Sequence, residues 1–509
     1  MIFRERRLKV LIYIFGCILR SPKDKRIFMT THVSNVPWLS GGNALLGHSL
    51  EYGRDPVAFL QRGYQERGNI FSCKLGLRNF VVALGPENNK IFFDETDKRL
   101  SIREGYPFFL KMFQKEFYFF APYEDYLKQR GMVRPWFKSE AMRSYVALMV
   151  EETEELFNQL GDEGVCDLIP TLGPLVMNIA AHAFLGRDFR RKLDDGFFNR
   201  FRDFSGGMEV VWPVWLPLPH LRRSQKARRL LDLELANWIK YRRDCPVDPP
   251  DFFQNLIEST LPDGSTVDQE LAINIILLLV WAGHETTSGQ IAWCLIDLLQ
   301  HRSYLDEMYE ETGVVMRDAS FKEINWNAVT MLKKTEWAVK ESERLHPVAY
   351  VMMRKVSEDL ILSGHTIQKG TNVLAAPCVS HRMPEVFSDP HAYNPLRFGP
   401  DSPEGSTDVN RLIGFGGGIH RCLGVNFARL EMKMILAMLV DHYDMELLDK
   451  PEPISGTLTQ WPKEPARVRY RRRHRDQSRV GFSVTRQKMS PDISEEKKNV
   501  TEGTCPVEH

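Results

Sequence analysis

Ten residues decide how this sequence is interpreted: Phe415-Gly416-Gly417-Gly418-Ile419-His420-Arg421-Cys422-Leu423-Gly424. Three consecutive glycines precede Cys422, and a backbone without Cβ atoms can lie flat against a large planar group. The next residues, 425–428, are predicted to begin a helix, whose free N–H groups would stabilise a thiolate at Cys422. Two residues before the cysteine, His420 can hold a carboxylate. The alternative is a glycine-rich turn with an incidental buried cysteine.

The composition is that of an ordinary globular protein. Of 509 residues, 43% are hydrophobic and 26% are charged, and the net charge of +1 gives no reason to expect nucleic acid as a partner. The eight cysteines form no CxxC pair, so a reducing compartment is expected.

The two ends of the chain differ from its middle. Residues 8–19 (LKVLIYIFGCIL) are apolar apart from Lys9 and are flanked by basic residues. A spanning helix needs ~20 residues, so we predict a short helix lying in a membrane interface; a terminal helix without a membrane role is the alternative. Beyond about Tyr470 the sequence is rich in Arg, Lys and Glu, which is typical of a disordered tail. The predicted organisation is an N-terminal segment (1–36), one large domain (37–470) and a tail (471–509).

Hydrophobic periodicity predicts a mainly α fold with a small β part. Residues 68–84 alternate as in a β-hairpin, residues 125–300 are mostly helical, and a later helix over 331–345 ends before Pro347. Short strands and turns are predicted over 350–371. Residues 271–283 are strongly apolar but too few to span a membrane, so they predict a helix that crosses the core. Thr266 and Gln269 form a predicted capping box at its start.

The ten-residue stretch resembles the haem-binding loop of the cytochrome P-450 superfamily. Phe415, Gly418 and Gly424 match the family's pattern, and His420 stands at its basic position two residues before the cysteine. The resemblance implies a single cytochrome P-450-type haem domain. In it Cys422 is the thiolate ligand of haem b (iron protoporphyrin IX), with Phe415 and His420 beside the cofactor.

A second motif, Glu341-x-x-Arg344, resembles the family's K helix. Residues three apart on a helix share a face and can pair. In the family a downstream arginine locks this pair, and Arg397 matches that position within Pro395-Leu396-Arg397-Phe398. The resemblance implies that the three residues have a structural role and hold the haem-binding core in shape.

A third motif, Ala282-Gly283-His284-Glu285-Thr286-Thr287, resembles the family's oxygen-activation segment. By that resemblance Gly283 lets dioxygen lie against the helix, Thr286 hydrogen-bonds the dioxygen, and Glu285 relays protons from solvent. A helix kink with a polar patch is the alternative.

A fourth motif, Tyr126-x-x-x-Arg130, is similar to the family's C helix, although tryptophan is more common at the first position. The resemblance implies that Tyr126 and Arg130 lie at the haem and that Arg130 binds a propionate. Arg354 matches another propionate-binding arginine. Buried arginines need partners, so two arginines and His420 converging on two carboxylates make physical sense.

Within the superfamily the chain resembles the sterol 14α-demethylases, through His420, through residues 345–354 and through the loop at 215–219. That branch usually carries His-Thr where this chain has Glu285-Thr286. We therefore expect hydroxylation or stepwise methyl oxidation of a sterol- or triterpenoid-like substrate in secondary metabolism. The aromatic stretch 106–123 suits a large apolar ligand, with Tyr106, Phe113 and Phe117 as candidate contacts, although plain core packing is the more common role of such a stretch.

The resemblance also implies partners. Since the sequence carries no flavin or iron–sulfur motif, electrons are expected from a separate NADPH-dependent reductase, with O2 and a lipophilic substrate as co-reactants. The expected location is the endoplasmic reticulum membrane, facing the cytosol; a soluble cytoplasmic protein is the alternative. Two other functions stay open: a reductase-independent haem-thiolate isomerase or dehydratase, and a non-catalytic haem-binding sensor.

Overall fold

The computed structural model describes residues 35–473, except 44–45, 77, 107–108, 111, 114–115, 208–217, 261–263, 265, 317–323, 406–408 and 456–457. The predicted interface helix at 8–19 lies outside this part of the chain, as do nearly all of the predicted tail and most of the loop at 215–219. Those three predictions therefore stay predictions.

Most of the described chain is helical, which confirms the mainly α fold. The helices are α1 (Ser49–Arg54), α2 (Pro56–Arg67), α3 (Pro86–Asp94), α4 (Ile102–Gly105), α5 (Tyr123–Val133), α6 (Ser139–Leu160), α7 (Leu168–Leu185), α8 (Arg187–Lys192), α9 (Asp195–Ser205), α10 (Pro219–Asp244), α11 (Phe252–Glu258), α12 (Gln269–Gln300), α13 (Arg302–Met316), α14 (Trp326–Met331), α15 (Lys333–Leu345), α16 (Pro377–Ser380) and α17 (Val425–His442).

The strands form small sheets at the edges of the helical body. They are β1 (Ile70–Leu75), β2 (Arg78–Ala83), β3 (Leu100–Ser101), β4 (Glu163–Asp167), β5 (Met352–Val356), β6 (Leu360–Leu362), β7 (His365–Ile367), β8 (Asn372–Ala375), β9 (Tyr443–Leu447), β10 (Pro453–Ser455), β11 (Gln460–Pro462) and β12 (Arg467–Arg472). The largest sheet has the order β1-β2-β8-β5-β3, and the second has the order β4-β12-β9.

Two of the sequence predictions concern residues in these sheets. The hairpin predicted over 68–84 is confirmed, because β1 and β2 pair antiparallel with Ile70 opposite Ala83. The predicted domain boundary at 470 falls inside strand β12, which continues to Arg472 and pairs with β9 to its end. The domain therefore extends past the predicted boundary.

Helix α12 passes through the core and packs against α7, α15 and α17. Its N-terminus is capped by Asp268, whose carboxylate accepts the N–H of Leu271 at 2.7 Å. The predicted capping box is wrong, because Thr266 instead pairs with Thr260 in an isolated β-bridge before the helix. Among the described residues α7 and α12 are apolar and long enough to cross a membrane. In each of these two helices, more than half of the most apolar stretch is buried inside the fold, as is usual for a core helix of a globular protein.

Helix α15 brings Glu341 and Arg344 onto one face, where they meet Arg397. Arg344 donates to the two carboxylate oxygens of Glu341 from Nε at 2.7 Å and from Nη2 at 2.8 Å, and Arg397 Nε donates to Oε1 at 3.1 Å. At most 3% of each side chain is exposed. Arg344 also donates to three backbone carbonyls of the segment that follows α16, those of His381, Pro390 and Ala392.

We predict that Glu341→Gln lowers the free energy of unfolding by about 3–5 kcal/mol, because it leaves two buried guanidinium groups without their shared carboxylate. Chemical denaturation of the haem-loaded protein measures the change. Glu446→Gln is the matched control, because Glu446 pairs with Arg469 at an exposed site and such pairs contribute about 1 kcal/mol or less. Equal, small effects of the two substitutions would contradict the prediction.

Candidate active site

The loop that carries Cys422 is a tight backbone turn. Gly416 and Gly418 adopt φ of 72° and 60°, a region that favours glycine. The N–H of Cys422 donates to the carbonyl of Phe415 at 2.9 Å, and α17 begins three residues after the cysteine. Burial raises the pKa of the Cys422 thiol, while a hydrogen bond from the N–H of Gly424 and nearby arginines oppose that rise.

The glycines before Cys422 also make room for a protein neighbour. A Cβ on Gly417 would lie 2.5 Å from the ring of Phe93, and one on Gly418 would lie 2.9 Å from the Phe93 carbonyl oxygen. Phe93 belongs to α3, which packs directly against this loop. The sequence predicted that these glycines leave space for a planar group. In the structure, Gly417 and Gly418 are required because helix α3 packs against them.

A partly buried ion pair supports the other side of the loop. Arg429, on the second turn of α17, donates to Glu343 of α15 at 3.0 Å, and its guanidinium lies 5.1 Å from the centroid of the Phe415 ring. Glu343 is 2% exposed, and burial raises the pKa of its carboxyl. A Cβ on Gly414 would lie 2.7 Å from Glu343 Cγ. The sequence motifs indicated Phe415 but neither of these charged partners.

Tyr126 and His420 stack on each other with ring centroids 4.5 Å apart. The Tyr126 hydroxyl donates to the carbonyl of Ile419 at 3.2 Å, so this side chain braces the cysteine loop. His420 does hold a carboxylate, as predicted, but the carboxylate is that of Asp97. Asp97 adopts a left-handed φ of 66°, and its N–H donates to Leu100 O at 2.7 Å. Nothing in the sequence motifs indicated Asp97.

Arg130 and Arg354 approach the same region from α5 and β5. Arg130 Nη2 donates to the carbonyl of Arg421, next to Cys422, at 3.1 Å. Arg354 is 4% exposed and donates to Thr96 Oγ1 at 3.2 Å and to Met353 O at 2.8 Å. Burial lowers its pKa. Within the described ranges no carboxylate forms an ion pair with Arg354.

The three predicted substrate contacts lie in different places. The Tyr106 hydroxyl accepts the N–H of Met353 at 2.8 Å, so its polar end faces the strand that carries Arg354. Phe113 packs against Trp281 of α12, with ring centroids 6.2 Å apart, and stays a candidate. Phe117 is 2% exposed and packs on Phe113, which is itself 7% exposed, and its role as a substrate contact stays a prediction.

The predicted oxygen-activation segment lies in the middle of α12. Thr286 Oγ1 donates to the carbonyl of Ala282 at 2.7 Å. Ala282 is exposed although its helix crosses the core, and a Cβ on Gly283 would find nothing within 4 Å. Burial raises the pKa of Glu285, and a hydrogen bond to Ser205 of α9 opposes that rise. The helix therefore presents an acid and an alcohol beside an open stretch of its surface.

Comparison with known proteins identifies the family. A family model described as Cytochrome P-450 matches residues 37–469. The chain belongs to the cytochrome P-450 family.

Individual relatives agree with this result. The chain is 29% identical over 460 residues to a sterol 14α-demethylase of Mycolicibacterium vanbaalenii, an alignment that covers 88% of this chain and 100% of the relative. It is 28% identical over 451 residues to the lanosterol 14-alpha demethylase of Bos taurus, covering 87% and 89%. Its fold is similar to that of the retinoic acid-bound cyanobacterial CYP120A1, with a TM-score of 0.76 at 24% identity over 86% of this chain and 99% of that chain.

As a cytochrome P-450 the chain is a haem-thiolate oxidoreductase, which uses protoporphyrin IX haem, O2, a redox partner and a lipophilic substrate. Two observations show that its residues fit the haem. Cys422 has accessible surface although burial raises the pKa of its thiol, so the thiol faces a space inside the fold. Arg354 is a buried cation that forms no ion pair among the described residues, and such a group is stabilised by an anion such as a propionate.

We predict that Gly417→Ala lowers the haem content of the purified protein severalfold, because the new methyl group collides with the Phe93 ring and displaces the cysteine loop. The ratio of Soret to protein absorbance measures the loss, and circular dichroism reports whether the helices persist. Gly53→Ala is the control, because a Cβ at that helical position meets nothing within 4 Å. Adding Phe93→Leu should restore part of the haem content; simple addition of the two losses would count against the prediction.

Proposed function

We propose that this protein is a monooxygenase that hydroxylates, or oxidises stepwise at a methyl group, a large sterol- or triterpenoid-like substrate in secondary metabolism. The observation that carries the proposal is the Glu285–Thr286 pair, which lies beside the open surface at Ala282 and Gly283 on α12. We also propose that a separate NADPH-dependent reductase supplies the electrons, and that residues 8–19 attach the protein to a membrane.

We propose that Cys422 would supply the thiolate that binds the haem iron, and that Arg130 and Arg354 would hold the haem propionates. Thiolate-ligated haem supplies the oxygen-activating chemistry when it is bound. The protein contributes a thiol that receives the N–H of Gly424 and lies at the start of a long helix, both of which favour the thiolate. Glu341, Arg344 and Arg397 keep the surrounding backbone in place.

Glu285 and Thr286 are the proposed residues that transfer protons to the reacting oxygen. Glu285 is partly buried, and because desolvation raises its pKa it keeps a proton at a higher pH than a fully exposed glutamate does. That property suits a group that passes protons near neutral pH. The Thr286 hydroxyl donates to its own helix at Ala282 O and can turn that hydrogen toward dioxygen.

The substrate class rests on two lines of support. The relatives described above are named as demethylases of sterols, including lanosterol. A cluster of aromatic rings, which suits a large apolar ligand, adjoins the same part of α12: Phe109 and Phe113 pack against Trp281 with centroids 5.4 and 6.2 Å away, and Phe204 packs on Phe113 at 5.7 Å. The acid of Glu285-Thr286, where sterol 14α-demethylases usually have histidine, favours a different oxidation of such a skeleton.

Spectral titration of the ferric protein tests the substrate class. We expect sterols or triterpenoids to convert the haem iron to high spin at micromolar concentrations, since a fitting ligand displaces the water on the iron, and we expect fatty acids to have little effect. Turnover of the best ligand with a reductase, NADPH and O2 should give a product that is heavier by one oxygen atom. A preference for fatty acids, or turnover without O2 and reductant, would overturn the proposal.

The role of Thr286 has its own test. We predict that Thr286→Ala lowers product formation by about 10²-fold, the lower end of what a positioned proton donor contributes, while O2 consumption continues and hydrogen peroxide accumulates. The measurement is product and peroxide formed per O2 consumed. The neighbouring substitution Thr287→Ala, at a buried side chain, is the control and should leave that ratio near the wild-type value. Full coupling in Thr286→Ala would contradict the proposed role.

A further inference from the structure

The hairpin of β10 and β11 is distant from α12 in sequence but touches it in the structure. Its strands pair antiparallel, with Ile454 opposite Trp461. The hairpin is also anchored to the segment that follows α15, because the N–H of Gln460 donates to the carbonyl of Val348 at 2.8 Å. Trp461 is therefore held in a fixed place beside α12.

Trp461 forms a hydrogen bond with the residue that carries the proposed proton donor. Its indole N–H donates to the backbone carbonyl of Glu285 at 3.2 Å. The Ser288 hydroxyl lies 3.2 Å from the same carbonyl, but its shorter hydrogen bond, at 2.9 Å, goes to the carbonyl of His284. A carbonyl in a regular α-helix accepts one N–H, from the residue four positions later. A side-chain donor at such a carbonyl can bend the helix locally, so the indole N–H helps to define the backbone at Glu285.

A glycine one turn further along α12 makes this contact possible. A Cβ on Gly289 would lie 2.3 Å from Trp461 Cδ1 and 2.9 Å from its Nε1. Glycine is an unfavourable residue in the middle of a helix, and here its missing side chain is what lets the indole reach the helix backbone. The hydrogen bond and the glycine are independent observations, and both concern the same contact.

We propose that Trp461 is a positioning residue for Glu285. By fixing the carbonyl of Glu285, the indole sets the direction in which the carboxyl of the same residue leaves the helix, next to Thr286. The β10–β11 hairpin thereby controls how well electron flow is coupled to product formation. This inference rests on the proposed function of the Glu285–Thr286 pair.

Trp461→Phe tests the inference, because it keeps an aromatic side chain at this position and removes the indole N–H together with the pyrrole ring. We expect haem content and O2 consumption to stay at wild-type values, and product per O2 to fall about threefold to tenfold, as for the loss of one hydrogen bond. The pH dependence of product per O2 should shift, which a merely structural role would not cause. Trp238→Phe is the matched control, because Trp238 Nε1 also donates to a helix carbonyl, that of Leu185, at 3.2 Å.

Gly289→Ala provides a second route to the same change. The new methyl group displaces the indole, so coupling should fall as in Trp461→Phe, and the double variant should show no further loss. Wild-type coupling and pH dependence in Trp461→Phe would overturn the inference. Thr286→Ala, measured in parallel, separates the two proposals: if it uncouples and Trp461→Phe does not, only the positioning role fails. If Thr286→Ala stays coupled as well, the proposed function of the pair fails, and the inference fails with it.

Discussion

The rest of the structure depends on the buried cluster of Glu341, Arg344 and Arg397, because it fixes the path of the backbone toward the cysteine loop. The Arg344 guanidinium donates to the carbonyl of His381 at 2.9 Å, and the imidazole of His381 accepts the N–H of Ile413 at 2.9 Å. Burial lowers the pKa of His381 to about 3, so its ring is neutral and Nε2 is free of a proton. A protonated ring could not accept that N–H. The ion-pair cluster of Glu341, Arg344 and Arg397 is thus connected to the backbone just before Phe415 by two hydrogen bonds.

Charge is distributed unevenly around Cys422. His420 already pairs with the carboxylate of Asp97, whereas Arg354 forms no ion pair among the described residues and lies over the Phe92 ring. Taking a cation out of water is unfavourable unless an anion joins it. We therefore expect Arg354 and Arg130 to contribute most of the attraction for the propionates. His420 is stacked on Tyr126 and paired with Asp97, so we expect it to contribute mainly to holding the loop.

The sequence was informative where a chemical pattern is local. Glu341 and Arg344 are three residues apart on one helix, and Glu285 and Thr286 are adjacent. The spacing alone therefore predicts that the two members of each pair lie close together. Contacts between distant segments were not predictable: Phe93 against Gly417, Asp97 with His420 and Trp461 with Glu285 each join residues that lie far apart in the chain. For the contact between Trp461 and Glu285 the sequence did contain a signal, Gly289. A glycine inside a long helix often marks a close approach by another element. Aromatic composition also could not predict that Phe113 and Phe117 are both buried in the core, with Phe113 beside Trp281.

Helix α12 connects the parts that the proposed reaction must coordinate. Its middle segment contacts α9 through the hydrogen bond between Glu285 and Ser205, and it contacts the β10–β11 hairpin through Trp461. The carboxyl and the carbonyl of one residue are thus held by two different elements. A histidine at position 285 would carry a ring in place of that carboxyl and would keep the backbone contact with Trp461. The backbone arrangement is therefore compatible with either residue, and the side chain at 285 alone distinguishes this chain from the usual pattern of the sterol 14α-demethylases at that position.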